Sequence, residues 1–315
     1  MEPMDEAKQP HGMNDVANIK PTKKALPKVP AERVPEIIEA IKEKTSMPAY
    51  RLVIEGGRTP GLTETKFGGL PYWPAGLEYP TTPKGIKLML LAQLNMADFG
   101  GDSRLPDHGL LQFFIDADDD CSGMDFDDST NQSGFRVIWH ETIDESVTPA
   151  EVEALGMPTS LVGFHEDYLG NPLAGEFAVR VEPTISWMTT ADDRLDGIFI
   201  ECCTKLFGAD FVGGRDNYWD LLDDEGVDAL FDGLKTPEPA HLVLGYPFFT
   251  QNDPRYGELM DQFATLLLQI DSEGERGTGK DRILWGDVGI GGFFIDAENL
   301  RRGDFSRVLF NWDCY

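Results

Sequence analysis

Apolar positions along this chain fall into two kinds of run, and the order of the runs repeats. Between Ala31 and Lys44, Val34, Ile37, Ile38 and Ile41 recur at i, i+3, i+4 and i+7, the stripe of an amphipathic helix with one face to pack. The other early runs have strand length. Arg51–Ile54 is short and closes at Gly56-Gly57, and Leu88–Asn95 is almost continuously apolar, which predicts a strand buried on both faces. Gly109–Asp116 and Phe135–Trp139 are the next predicted strands. Thr148-Pro149-Ala150-Glu151 forms a capping box with proline at the first helical position, opening a short helix that stops before Pro158. Further strands are expected around Glu176–Trp187 and Gly197–Cys203. A helix is expected over Trp219–Leu234, and a last strand from Arg307 to Tyr315, whose aromatic end predicts a docked C-terminus.

Three blocks then recur in one order. Gly69-Leu70-Pro71-Tyr72-Trp73 answers to Gly245-Tyr246-Pro247-Phe248-Phe249, and Leu91-Ala92-Gln93-Leu94-Asn95 to Leu267-Leu268-Gln269-Ile270-Asp271, both 176 positions apart. Phe113-Phe114-Ile115-Asp116 returns at an offset of 180 as Phe293-Phe294-Ile295-Asp296. Such recurrence predicts an internal duplication. Strands outnumber helices and come in runs, so the expected fold class is α+β: a β-rich, internally duplicated mixed or antiparallel sheet body with a few peripheral helices. The pseudo-repeats span about 50–140 and 241–315, joined by an insert at 141–240, and residues 1–30 read as a flexible, proline-punctuated tail.

Composition adds one strong bias. The 315 residues carry 27 basic against 55 acidic side chains, a net charge of −28, which repels nucleic acid and anionic membranes and attracts cations or basic proteins. No 18-residue apolar run is present, so no membrane span is expected. Cys121, Cys202, Cys203 and Cys314 are too few for a disulfide framework, and a reducing cytoplasm suits them. On a strand, Cys202 and Cys203 would point to opposite faces.

Candidate chemistry is sparse. Asp116, Asp118 and Asp120 occupy positions 1, 3 and 5 of a calcium-loop template, which would suit Ca or Mg, but position 6 is Cys121 where the loop needs glycine. Gln93 and Gln269 interrupt apolar strands, so each amide needs buried partners, either across a pseudo-axis or from a ligand. Asp253-Pro254-Arg255 beside Phe249, and Trp285-Gly286-Asp287, put carboxylates next to aromatic residues in loops, where sites often form. The five histidines make no His-x-x-x-His pattern and the cysteines no Cys-x-x-Cys. Gly289-Ile290-Gly291-Gly292 is followed by a strand, where a dinucleotide fingerprint needs a helix.

Lys66–Trp73, Leu91–Asn95, Gly109–Ile115, Gly245–Arg255, Leu266–Asp271, Trp285–Asp287 and Asn311–Cys314 together resemble the YwqG-like family, a domain of unknown function. The resemblance covers roughly residues 45–315 and implies a single α+β domain with an internal duplication, soluble and cytoplasmic, with no catalytic residues to carry over. Some relatives lie beside toxin–immunity systems, which implies an immunity or accessory role.

The leading expectation is a non-catalytic binding protein that presents an acidic face and the aromatic residues Tyr72, Trp73, Phe248, Phe249 and Trp285 to a basic protein partner. The rival from another class is an enzyme or small-ligand receptor with a polar cleft between the repeats, using Gln93, Gln269, Asp253, Arg255 and Asp287. A divalent-cation module is the third.

Overall fold

A computed structural model describes residues 27–159, 170–274 and 281–315. The expected tail lies outside the described residues up to position 26, as do residues 160–169 of the insert. From Pro27 onward the chain is docked: Val29 is buried, and its N–H donates to the Leu221 carbonyl at 2.8 Å.

Ten strands form one antiparallel sheet: β1 (Met47–Glu55), β2 (Lys66–Phe67), β3 (Met89–Asn95), β4 (Leu110–Ile115), β5 (Phe135–His140), β6 (Phe177–Ser186), β7 (Leu242–Val243), β8 (Thr265–Asp271), β9 (Ile290–Ile295) and β10 (Leu309–Asp313). Their order in space is β10-β9-β8-β7-β1-β6-β2-β3-β4-β5. The edges curl toward each other. Phe310 N donates to Ser129 O at 2.9 Å, and the Phe135 and Phe310 rings lie 5.2 Å apart. The sheet is therefore nearly closed, and the main core fills its inside.

The two halves of this sheet repeat in register. Lys66 faces Gln93 in β3, and 176 positions later Leu242 faces Gln269 in β8. The β3–β4 ladder shifts register between Leu90 and Ala92, and the β8–β9 ladder shifts between Leu266 and Leu268, so Leu91 and Leu267 are equivalent bulges. The leading strands exchange. β1 precedes the first repeat yet pairs with β7 of the second, while β6 pairs with β2 of the first. β1 and β6 then pair with each other over nine residues, with Val53 opposite Arg180.

Strand alternation explains the double phenylalanines. Phe113 and Phe293 point into the shared interior 5.0 Å apart, and Phe293 stacks on Phe310 at 4.5 Å. Phe114 and Phe294, one residue on, point outward into two smaller apolar clusters, with Trp73 and Phe249 at equivalent places. Both faces of these strands are covered, so their sequences lack polar alternation.

The helices are α1 (Val34–Thr45), α2 (Pro149–Glu153), α3 (Leu195–Phe207), α4 (Ala209–Val212), α5 (Tyr218–Leu221), α6 (Asp224–Leu234), α7 (Glu258–Gln262) and α8 (Ala297–Arg301). α1 buries Val34, Ile37, Ile38 and Ile41 against α3 and α6, which makes a helical layer with its own core. The capping box forms as expected at α2. Two expectations fail. Gly197–Cys203 lies in helix α3, so Cys202 and Cys203 are both buried in the helical layer instead of facing opposite ways. The expected helix over 219–234 breaks at Leu222–Asp223, because Asp223 turns extended and its carboxylate caps Gly226 N.

Because Phe293 belongs to the second repeat but packs on the first, its truncation tests the shared interior. Phe293→Ala should lower the unfolding free energy by about 3–5 kcal/mol in urea denaturation; a loss below about 1 kcal/mol would mean that the halves do not depend on this contact.

Candidate functional site

The two glutamines do the same job in each half. Gln93 Oε1 accepts from Tyr72 N at 3.0 Å and its Nε2 donates to Leu62 O and Glu64 O; Gln269 Oε1 accepts from Phe248 N at 2.8 Å and its Nε2 donates to Ala240 O. They tie each Gly-x-Pro loop to its strand and do not meet each other. The glycine is required there. Gly245 has φ 84°, and a Cβ on it would come within 2.7 Å of Ser186 Cβ. Both amides are buried, and each bonds the backbone through its oxygen and its nitrogen.

Only the first half extends this network. Gln112 Nε2 donates to Gln93 Oε1 and to Tyr72 O, and its Oε1 receives the bond from His140 Nε2 at 2.9 Å. Since Gln112 presents only an oxygen to the ring, His140 is the neutral Nε2–H tautomer. Burial lowers its pKa to about 4. The place of Gln112 is taken in the second half by Gly292, which faces Gln269 as Gln112 faces Gln93.

His241 forms a buried dyad with Glu273, Nε2 to carboxylate at 3.0 Å, while its Nδ1 accepts from Asp271 N at 3.0 Å. The equivalent threonine in the first half makes the same pair of bonds: Thr65 Oγ1 accepts from Asn95 N and donates to Asp98. A histidine–carboxylate pair that a threonine can replace serves the backbone.

The charged cluster around Arg255 is an interior structure. Arg255 and Asp253 are buried, and the guanidinium grips Asp253 with Nε at 2.9 Å and Nη2 at 2.7 Å. Nη2 also reaches Asp192 at 3.3 Å, and the cation lies over the Phe294 ring at 4.8 Å. Two other places repeat the motif. In Asp102-Ser103-Arg104 and Asp192-Asp193-Arg194, as in Asp253-Pro254-Arg255, the arginine donates its backbone N–H, Nε and Nη2 to the aspartate two residues earlier. An Asx turn and a bidentate fork are thereby combined. The fork outweighs modest burial at Asp102 and holds its pKa down to about 2. At Asp192 burial pushes upward, yet the Arg194 bond and the charges of Arg194 and Arg255 leave the carboxyl below its usual range.

The remaining expected site residues divide cleanly. Tyr72, Trp73, Phe249 and Trp285 are all buried, so they do not present a binding face. Tyr72 accepts a bond from Asp144 N on its hydroxyl, and Trp285 lies so close to β9 that a Cβ on Gly291 would meet its ring at 2.6 Å. Asp287 is exposed, whereas Asp253, Arg255 and the two glutamines are buried. Asp116 Oδ1 accepts from Asp118 N, and the three-residue set whose ligand atoms come within 4.8 Å of one another is Asp119, Asp120 and Cys121. Asp116, Asp118 and Asp120 form no such set among the described residues.

What patterning missed is Phe126. It stands 80% exposed between Asp125 and Asp127, on a loop anchored to the last strand by Trp312 Nε1 to Cys121 O at 2.7 Å. A phenylalanine flanked by aspartates, outside any apolar period, was the available signal. A cleft bordered by Arg104, Arg194 and Arg301 was also missed, though the recurring Asp-x-Arg spacing pointed at two of the three.

A sequence profile for a domain of unknown function, DUF1963, matches residues 65–314, most of the chain. No curated protein matches it.

Two measurements check the interior assignments. Protonation of His140 favours the unfolded state, so its contribution is complete above pH 6.5 and is lost as pH falls toward 4. The wild type should lose up to about 3 kcal/mol more stability across that window than His140→Gln, in urea titrations at each pH. Asp253→Asn, which strips a buried guanidinium of its main partner, should cost about 3–5 kcal/mol, whereas Asp287→Asn should stay within about 0.5 kcal/mol of wild type.

Proposed function

The chain belongs to the DUF1963 family, a domain of unknown function, and on that premise we propose that it is a soluble, cytoplasmic acidic binding protein that docks onto a basic protein. The observation that carries this reading is Phe126, 80% exposed on an acidic loop that is already ordered. Asp119 accepts from Gly123 N, Asp125 from Asp127 N, Asp128 N and Asn131 Nδ2, and Asp128 from Thr130 N, so the carboxylates hold the loop's own turns. Ser122 Oγ donates to Gly170 O and Trp312 N donates to Met124 Sδ, which fixes the loop to its neighbours. Little ordering entropy then remains to be lost on binding.

Asp118, Asp120, Asp127 and Asp128 of the same loop are also exposed and make it negatively charged. An aromatic anchor inside a charged rim is the arrangement found at energetic centres of interfaces, and the net charge of −28 speeds encounter with a cationic partner. The partner this chemistry fits has an apolar pocket bordered by lysine or arginine. A basic nuclease-like toxin is the specific form of it under an immunity or accessory role, and the YwqG-like resemblance supports that form. The four free cysteines suit a reducing compartment. No helix among the described residues is long and apolar enough to cross a membrane.

The test is affinity capture from native lysate at low and high salt. The wild type should retain a basic protein at low salt that both Phe126→Ala and the Asp127→Asn/Asp128→Asn pair release, with folding unchanged within about 0.5 kcal/mol. Identical capture by all three proteins would defeat the reading.

A further inference from the structure

Three arginines line a single cleft of about 330 Å³, in a chain with twice as many acidic as basic residues. No carboxylate lines it among the described residues. Arg104 comes from the loop after β3, Arg194 from the insert just before α3, and Arg301 from the end of α8, so both repeats and the insert contribute. The cleft is distinct from the acidic loop.

These cations are not equivalent. The Asp-x-Arg forks hold Arg104 and Arg194 in fixed planes without using all of their N–H groups. Arg194 Nη1 makes no bond among the described residues, and Arg301 makes no hydrogen bond or ion pair there. Arg301 therefore supplies an exposed, unpaired guanidinium at the cleft's rim. Tyr246, whose ring lies 5.8 Å from the Arg194 guanidinium carbon, adds a hydroxyl that no bond occupies, and the Thr265 hydroxyl is similarly free.

The hydrocarbon of the wall comes from Met47, Ala264 and Ala297, with Leu244 and Leu300 buried behind them. Leu244 is held at φ 63°, a left-handed conformation costing about 1–2 kcal/mol for a residue with a Cβ. The equivalent position in the first repeat is Gly68, at φ 66°. The leucine kept where its counterpart is glycine is buried and joins the main core behind the cleft.

We propose that the cleft binds a small organic carboxylate, with the anionic head on Arg194 and Arg301 and an apolar body against Met47, Ala264 and Ala297. The size falls at the lower end of small-molecule sites, and the mixture of a few convergent donors with an apolar wall is typical of them. Guanidinium forks match a planar carboxylate. The start of α8 offers a phosphate little, because its amides at Glu298 and Asn299 are already taken by Asp296.

Octanoate, 1-octanol and inorganic phosphate are the probes, titrated into the full chain by calorimetry. Octanoate should bind saturably with Kd of about 1 mM or tighter, and the neutral alcohol at least about tenfold more weakly. Arg301→Gln should weaken octanoate about tenfold while leaving the alcohol and the ligand-free thermal midpoint unchanged. Tyr246→Phe, a smaller change, should weaken octanoate without affecting folding. Absence of saturable binding, equal affinity for acid and alcohol, an Arg301→Gln protein that binds octanoate as before, or displacement of octanoate by lower concentrations of phosphate would each overturn the proposal. None of these outcomes bears on Phe126, so the docking surface and the cleft stand or fall separately.

Discussion

The fold depends on one antiparallel pairing, nine residues of β1 against nine of β6. Each repeat brings four strands and would leave the inner edge of its first strand with unpaired N–H and C=O groups. The leading strands close these edges by exchange, β1 on β7 and β6 on β2, and then close their own free edges on each other. Arg51 faces Leu242 as Ala178 faces Lys66, a separation of 127 between the leading strands. The same separation carries Val53 onto Arg180, which is its own partner in the ladder. A local two-fold relation therefore passes through this pair, and the curl that brings Phe135 onto Phe310 follows from repeating the same twisted half on both sides of it.

Much of this was legible because backbone needs leave marks in sequence. The Gly-x-Pro turns, the strand glutamines and the double phenylalanines were visible at nearly constant offset, since each answers a demand that occurs once per half: a left-handed turn, a loop to be tied, and a strand covered on both faces. The shift from 176 to 180 is the extra length of the β8–β9 connection relative to β3–β4. Illegible were the places where tertiary context overrules local pattern. Residues 197–203 read as a strand from their apolar density, but in the structure they supply the buried stripe of α3, with Leu195, Phe199, Cys202 and Cys203 facing α1. Exposure was the other blind spot. Aromatic residues next to loop prolines looked presentable and are core, while Phe126 had no periodic partner to mark it as outside.

Comparison of the two copies separates constraint from opportunity. Side chains that bond the backbone keep their role: Gln93 with Gln269, Thr65 with His241, and Asp116 with Asp296, which caps the next residues but one in both halves. In the segment following that last pair the copies part. In the first half it is the acidic loop, with Asp120 and Cys121; in the second it is α8, with Leu300 and Arg301. At the Gly-x-Pro turn the middle residue is Leu70 in one copy and Tyr246 in the other. One scaffold position thus carries a negative, aromatic-tipped loop on one side and a positive cleft wall on the other. Asp120 stands where the second copy has Leu300, and Cys121 where it has Arg301, so the charges differ where one copy makes a loop and the other makes α8. Phe126, Tyr246 and Arg301 stand where the two copies differ, and the proposed docking surface and the proposed cleft rest on them and not on the buried polar cluster.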